Sequence, residues 1–332
     1  MSLKKIAEMA GVAPSTVSRV LNDRSSGCAS KEVREKIWAS AHALGYVPNE
    51  AARTLKSGAC EEPAPVRIGV ILSRIQDLSE DPFFYELFRA VEVSLFTQSC
   101  VLNVVAHSPE ELTRVSAPDG LIILGRCSDD ALTELQKITP NIVGIWRNPM
   151  NYQVDEVVCD GAKAAELAME HLLSLGHKKI GYIGDWSHES RYVGYCQTLI
   201  RHGLPLDYNR IMPTNQTRDQ GERAMTQLLE RDEVTAVLCA NDITATGALR
   251  ALKRRRAQKH PVSVISIDNI EQSQQTVPML TTVDIPRADM AHMAVKILTD
   301  RINKGHIQCL RVEFPCKIIQ RESCVLCYTH LR

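Results

Sequence analysis

The chain has 332 residues, 44% apolar and 23% charged, with a formal net charge of zero. That is a globular balance at a length suited to two or three domains. The apolar runs are too short for a membrane-spanning helix, and the opening MSLKKIAEM is charged and lacks the apolar stretch of an export signal.

Charge is unevenly spread. Residues 1–58 hold nine Lys/Arg and five Asp/Glu, which leaves a +4 end on a −4 body. A basic end of this kind fits a nucleic-acid-binding head whose phosphate contacts are salt-sensitive. Within it, residues 6–22 (IAEMAGVAPSTVSRVLN) read as two short helices joined by a tight turn. Ile6, Ala7 and Ala10 give the first helix an apolar side, and Gly11 supplies the left-handed residue that closes it. Pro14 suits the first turn of the second helix, where its missing N–H is unsatisfied anyway. Val17, Val20 and Leu21 fall on one side of that helix, and Ser15, Thr16, Ser18, Arg19 and Asn22 mostly on the other. Small hydroxyls with one arginine suit a helix lying in the DNA major groove, where arginine can bridge guanine O6 and N7. An ordinary amphipathic hairpin is the alternative.

A loop covers 23–29. Ser30 reads as the N-cap of a third helix over 31–44, with Val33, Ile37, Ala41 and Leu44 on one stripe and Gly45 at its end. Tyr46-Val47-Pro48-Asn49 is extended, because the residue before a proline avoids the helical region. Residues 49–57 read as a helix too short to persist alone in water, followed by a loose linker over 59–65.

From Val66 the texture changes to short β-branched runs (RIGVILS, VLNVVA, GLIILG, NIVGIW, EVVCD, KIGYIGD, AVLCAND, VSVISID). Helical stretches near 83–97, 161–175, 219–231 and 243–257 separate them. Strands alternating with helices predict parallel sheets covered on both faces. No GxGxxG follows the first strand, and neither GxxxxGK[ST] nor GxSxG occurs, so dinucleotide, NTP and hydrolase chemistry have no support. His171 and His177 stand six apart and do not share a helix face; Ser-Leu-Gly-His reads as a helix end. Eleven cysteines raise the question of a metal. Cys324-Val-Leu-Cys327, with Cys316 and His330 near in sequence, lacks a second paired ligand set and reads as free, partly buried thiols. No cofactor is expected.

AEMAGVAPSTVSRVLN and GYVPNEAARTLKSG, with the α/β pattern that follows, resemble the lactose/galactose repressor family of bacterial transcription regulators over essentially the whole chain. The resemblance implies an α/β protein with a helix-turn-helix headpiece (1–47), a hinge helix (48–58), a linker (59–65) and a two-subdomain Rossmann-like core (66–332) of the periplasmic-binding type. The N-subdomain would take about 66–159 and 285–315, the C-subdomain about 161–283 and 317–332. It also implies that Leu55 enters the minor groove as an apolar wedge, with Lys56 beside it. A small core contact is the alternative for Leu55.

Ligands of open α/β sheets bind at strand carboxyl ends. By the same resemblance, Arg191 of RYVGY, Asn241 of the Asn-Asp pair and Asp268 of VISID contact an effector, while Asp242 more often caps the next helix. Phe84, at the start of a helix, either stacks on the effector or belongs to the core. Trp146, before Arg147 where sugar-responsive members often carry an acidic or polar pair, either stacks on a sugar face or fills space. The loop GDWSHES lacks the family's usual Gly-Pro. DGLIILGRCSDDALTEL and DEVVCDGAKAA look most similar to the evolved-β-galactosidase repressor branch, which favours a galactoside over a purine. The expectation is a cytoplasmic, nucleoid-associated, homodimeric repressor that binds operator DNA under control of a saccharide. A saccharide-binding protein without a transcriptional role and an α/β enzyme are the alternatives.

Overall fold

The computed structural model describes residues 3–22, 30–43, 65–73, 75, 77–78, 81–112, 117–146, 152–187, 189–231, 233–255 and 261–327. The chain divides into two compact units, 1–64 and 65–332.

In the first unit, α1 (Leu3–Ala10), α2 (Pro14–Asn22) and α3 (Lys31–Ala43) enclose a small core of Ile6, Ala7, Val17, Val20, Ile37 and Ala41, with Ala10, Val12 and Val33 at its margin. The turn between α1 and α2 is set by Gly11 at φ +68°. Its N–H donates to Glu8 O and that of Val12 to Ala7 O, so the last carbonyls of α1 are satisfied as the chain reverses. The hinge helix expected over 48–58 lies outside the described residues.

The second unit holds two six-stranded sheets. The first runs β11 (Arg311–Glu313), β5 (Asp155–Val158), β4 (Ile142–Trp146), β3 (Gly120–Leu124), β1 (Val66–Leu72), β2 (Cys100–Ala106), all parallel. The second runs β12 (Lys317–Ile319), β10 (Thr281–Asp284), β9 (Ser263–Asp268), β8 (Ala236–Cys239), β6 (Ile180–Gly184), β7 (Ile211–Pro213). Only β12 is antiparallel to its neighbour. Because both faces of each sheet are covered, strands β3, β4, β6 and β9 are buried at every residue.

Helices α4 (Pro82–Thr97) and α11 (Arg287–Ile302) pack together, α11 against β3, β4 and β5 of the first sheet. The short α5 (Pro109–Leu112) and α6 (Asp129–Ile138) bring Leu112, Leu132 and Leu135 to a separate apolar cluster of that sheet. In the C-subdomain, α7 (Gly161–Ser174) packs on α8 (Ser190–Arg201), and α9 (Arg218–Arg231) on α10 (Asp242–Arg254). The chain passes from one sheet to the other at Cys159–Asp160, at Ile285–Pro286 and at Phe314–Cys316.

His177 is buried and fixes the end of α7 from both ring nitrogens, one 3.0 Å from Thr235 Oγ1 and the other 2.9 Å from Val325 O. All nine described cysteines are free thiols, and Cys324 and Cys327 are buried. No group of three or more metal-type ligands occurs among the described residues. Likewise, no described helix is long and apolar enough to cross a membrane.

Gly194 lets α8 lie on the first turn of α7, because a Cβ there would overlap the carbonyl oxygen of Ala162. Gly194→Ala should therefore destabilise the core by about 1–3 kcal/mol, the usual cost of overpacking. Urea unfolding of the full chain reads this, and an unchanged midpoint would show that α8 can slide at no cost.

Candidate effector site and DNA-reading helix

The second sheet presents Asp185, Asn241 and Asp268 at the carboxyl ends of β6, β8 and β9. Arg191, at the start of α8, points back among them and is 3% exposed. Its Nε and Nη2 hold the two oxygens of Glu189, both at 2.8 Å. Nη2 also donates to Gln216 Oε1 at 3.0 Å, and Nη1 to Ala240 O at 2.5 Å. Burial disfavours the guanidinium charge, but Glu189 outweighs it, with Asp268 adding to the effect, and Arg191 stays protonated well above the ordinary range.

The neighbouring Asn-Asp pair exchanges the roles expected of it. Asn241 is the N-cap of α10: its Oδ1 accepts from Thr244 N at 2.9 Å. Asp242 is fully buried and does not cap. Its Oδ1 accepts from Ser266 Oγ (2.5 Å) and Thr282 Oγ1 (2.6 Å), and its Oδ2 from Ile270 N (2.9 Å). The first helical residue points down into the sheet, and only the residue before it can reach the free amides of the first turn. Burial, and then the nearby charge of Asp268, push Asp242 up to about 7 against these three donors.

Asp268 is 2% exposed. It has φ +128°, and Asn269 has φ +52°, conformations that side-chain-bearing residues rarely adopt. The turn is held from several sides. Arg287, at the first residue of α11, donates to the carbonyls of both Asp268 and Asn269. Arg321 donates to Asn269 Oδ1 at 2.7 Å, and Asn269 Nδ2 to Asp284 Oδ1 at 2.8 Å. Arg287 also pairs with Glu86 of α4 at 2.9 Å, and Glu86 accepts from Glu271 N at 3.0 Å. Thus α4 and α11 of the N-subdomain grip the turn that carries Asp268.

Phe84 opens α4 in the half-buried range, edge-on to Phe83 at 5.3 Å and next to Gly125 at the end of β3. It borders the carboxyl edge of the first sheet while packing on the core. Trp146 does not line that edge. Its ring is 4% exposed in the cluster with Leu121, Leu135 and Val158. Its Nε1 donates to Glu156 Oε1 at 3.2 Å and its ring meets Tyr152 edge-on. The expectation of a stacking role for Trp146 is corrected accordingly: alternation along β4 turns the ring into the core, and its one polar atom is satisfied there.

In the headpiece, Ser15 is exposed and Thr16 half-buried on α2, whose Val17 and Val20 lie in the core. The side chains of Ser18, Arg19 and Asn22, and all of Leu55 and Lys56, lie outside the described residues. Glu189 and Gln216 were missed by sequence reasoning. Glu189 could have been found as the N-cap of α8. Gln216 sits in a loop after β7, a strand too short to leave a pattern.

A sequence profile described as bacterial regulatory proteins, lacI family, matches residues 2–49, and one for a periplasmic binding protein-like domain matches 169–324. The HTH-type transcriptional repressor PurR of Haemophilus influenzae is 30% identical, over 97% of this chain and 98% of its own. The chain belongs to the lacI family of bacterial regulatory proteins. The HTH-type transcriptional repressor CytR of Escherichia coli is also 30% identical to this lacI-family chain, over 97% of it and 96% of its own length. A transcriptional regulator CelR–cellobiose complex matches it with a TM-score of 0.70 at 26% identity, covering 97% of this chain and 99% of that one. As a lacI-family member the protein is a transcriptional regulator and not an enzyme.

The titration of Asp242 makes a prediction. An unfolded aspartate releases its proton near 3.9, and folded Asp242 does so near 7. Between these values the native state holds the extra proton, so wild-type stability, relative to that of Asp242→Asn, should fall as pH rises from about 4 to about 7. Asp268→Asn removes the like charge and should shrink that fall. Urea titrations at a series of pH values measure both, and a difference independent of pH would show that Asp242 is ionised throughout.

Proposed function

We propose that this lacI-family member is a cytoplasmic, homodimeric repressor whose operator binding is controlled by a neutral saccharide, a galactoside-like effector, held at Asp268 and Arg191 beside Phe84. The observation that carries the effector class is the charge balance of the site. Glu189 already neutralises Arg191, and Asp268 adds a negative charge beside Asp242, whose own proton is held up to about pH 7. A phosphate or carboxylate would meet surplus negative charge there, whereas hydroxyls can donate to Asp268. The cellobiose held by the CelR regulator of the same fold supports a saccharide. Asn241 has its Oδ1 committed to the cap and its Nδ2 donating to Gln216 O at 3.4 Å, so a contact with the effector falls to its second amide hydrogen.

The control follows from the grip of Arg287 and Glu86. An effector at Asp268 acts on a turn that α4 and α11 also hold, so it favours one angle between subdomains over another. In the dimer, that angle sets the spacing of the two headpieces. Tyr85, Val93 and Phe96 form an exposed apolar stripe on α4, with Phe96 85% exposed, and this stripe supports a second copy as partner. The domain plan is a headpiece over 1–47, a hinge helix over 48–58 and a core over 66–332. On operator DNA, Ser15, Thr16, Ser18, Arg19 and Asn22 read the major groove, Leu55 wedges the minor groove and Lys56 lies beside it.

The experiment is a thermal-shift screen of neutral sugars against their phosphorylated and acidic forms. A neutral sugar at a hundredfold excess over its Kd should stabilise the core by ~2.7 kcal/mol, while its phosphorylated form should not. Stabilisation by anionic sugars alone would overturn the assignment. Asp268→Asn should weaken the hit by about one to two decades while the chain stays folded, since a charge-assisted hydrogen bond contributes ~1.5–3 kcal/mol. Arg191→Ala is a poor probe of binding, because it strands the buried Glu189 carboxylate and costs the fold about 3–5 kcal/mol.

For DNA, Arg19→Ala should lose ~1–3 kcal/mol of discrimination at one base position per half-site. Equal weakening on operator and random DNA, measured by competition titration, would make Arg19 a phosphate contact instead.

A further inference from the structure

The three passages between the subdomains are the mechanical axis of the core, and two of them carry a cysteine. Cys159 follows β5 in the first passage, and Cys316 precedes β12 in the third. The two passages leave the same sheet side by side, since β5 and β11 are parallel neighbours with Val158 opposite Glu313 and Phe314 N donating to Val158 O at 2.8 Å. Both cysteines are free, Cys159 fully buried and Cys316 half-buried, and both pack in one apolar cluster. Their thiols share a hydrogen bond. An open groove of about 550 Å³ runs along the second and third passages, lined by Asp284, Pro286, Phe314, Pro315 and Lys317 on either side of Cys316 in sequence.

We infer that Cys159 and Cys316 form a reversible dithiol–disulfide pair that fastens two of the three passages when a hydroperoxide oxidises it. The half-buried Cys316 is the attacking group. Its hydrogen bond with Cys159 holds it below the ordinary thiol range against burial, while the same bond, then burial, push Cys159 up. Asp160 and Glu313 oppose the thiolate, and Lys163, paired with Glu313 at 2.5 Å, faces the pair with the opposite charge.

The chemistry balances with hydrogen peroxide as oxidant. The Cys316 thiolate attacks one peroxide oxygen and the O–O bond breaks. Cys316 becomes a sulfenic acid, and the departing oxygen leaves as water with the proton given up by the thiol. Cys159 sulfur then attacks the sulfenic sulfur, the S–O bond breaks, and the hydroxyl leaves as a second water with the Cys159 proton. Two thiols lose two electrons, and one peroxide becomes two waters. A dithiol reductant reverses the bond by exchange. A disulfide brings the sulfurs to about 2.05 Å, closer than any hydrogen-bonded pair of thiols. Oxidation must therefore draw the first and third passages together and restrict the angle between the subdomains.

The test uses the full-length reduced chain, treated with hydrogen peroxide, alkylated and digested for mass spectrometry. The expected product is a peptide pair linked through Cys159 and Cys316 that dithiothreitol releases. The linked chain should melt several degrees higher than the reduced one, because the bond closes a long loop. Amide hydrogen exchange at 159–160 and 314–316 should slow as well. Cys316→Ser, or Cys159→Ala should that variant not fold, should abolish all three effects. Cys309→Ser, at the exposed cysteine, should leave them unchanged. Oxidation of Cys309 while Cys159 and Cys316 are recovered as alkylated free thiols would overturn the inference. So would a linked chain that melts and exchanges like the reduced one. None of the three readouts depends on knowing the effector or the operator.

Discussion

The buried carboxylate of Asp242 is the interaction on which the C-subdomain edge depends. It gathers a hydroxyl from β9, a hydroxyl from β10 and the amide of Ile270, and so fixes the strand ends against the start of α10. A buried acid that lost these donors would be costly, and three donors on two oxygens leave it little freedom. The same anchoring sets the position of Asp268, whose backbone turn is strained and needs bracing from outside. Arg287 and Arg321 supply that bracing, one from the N-subdomain and one from the segment after β12. A site is thereby built in which a strained turn, a buried ion pair and a bridge between subdomains meet within a few residues.

Charge inside this edge has a division of labour. Glu189 and Arg191 form a fork-to-fork pair in which Arg191 is buried and Glu189 mostly so, and which fixes orientation more than it stabilises. Asp268 is left as the carboxylate whose electrostatic neighbours are Arg191 on one side and Asp242 on the other. The site is thus rigid in its first layer and negative in sum, a combination suited to ligands rich in hydroxyl groups.

Much of this was legible in the sequence where patterns are long. The apolar runs RIGVILS, GLIILG, NIVGIW, KIGYIGD and VSVISID fall on β1, β3, β4, β6 and β9, and the helix read at 83–97 is α4. Gly11 closes α1 as its position suggested. The strands β7, β10, β11 and β12 left no such trace, because IMP, TTVD, RVE and KII are too short or too polar to show an apolar run and their pairing depends on distant partners. In the site, the motif Arg-x-x-Gly pointed to Arg191, and the structure adds why its glycine is there, at the contact of α8 with α7. The exchange of roles between Asn241 and Asp242 was not legible, since both residue types cap helices well and only the sheet beneath decides which one turns inward. Trp146 failed for a related reason: at the end of a strand buried on both faces, parity alone does not say which face holds the ligand.

The order of the strands also bears on how the chain is made. The N-subdomain sheet is completed by β11, drawn from residues 311–313, after the whole C-subdomain sheet except β12 has been synthesised. Until then the β5 edge has no partner on that side, and Asp155, which is fully buried in the finished fold, has neither Arg301 nor His306 to hold. A nascent chain on the ribosome thus carries an open sheet edge and an unmatched acid while residues 159–310 are being made, a template for pairing with a neighbouring nascent copy. Once β11 is in place, its short length and the charged Arg311 and Glu313 at its ends blunt the new outer edge against a foreign strand.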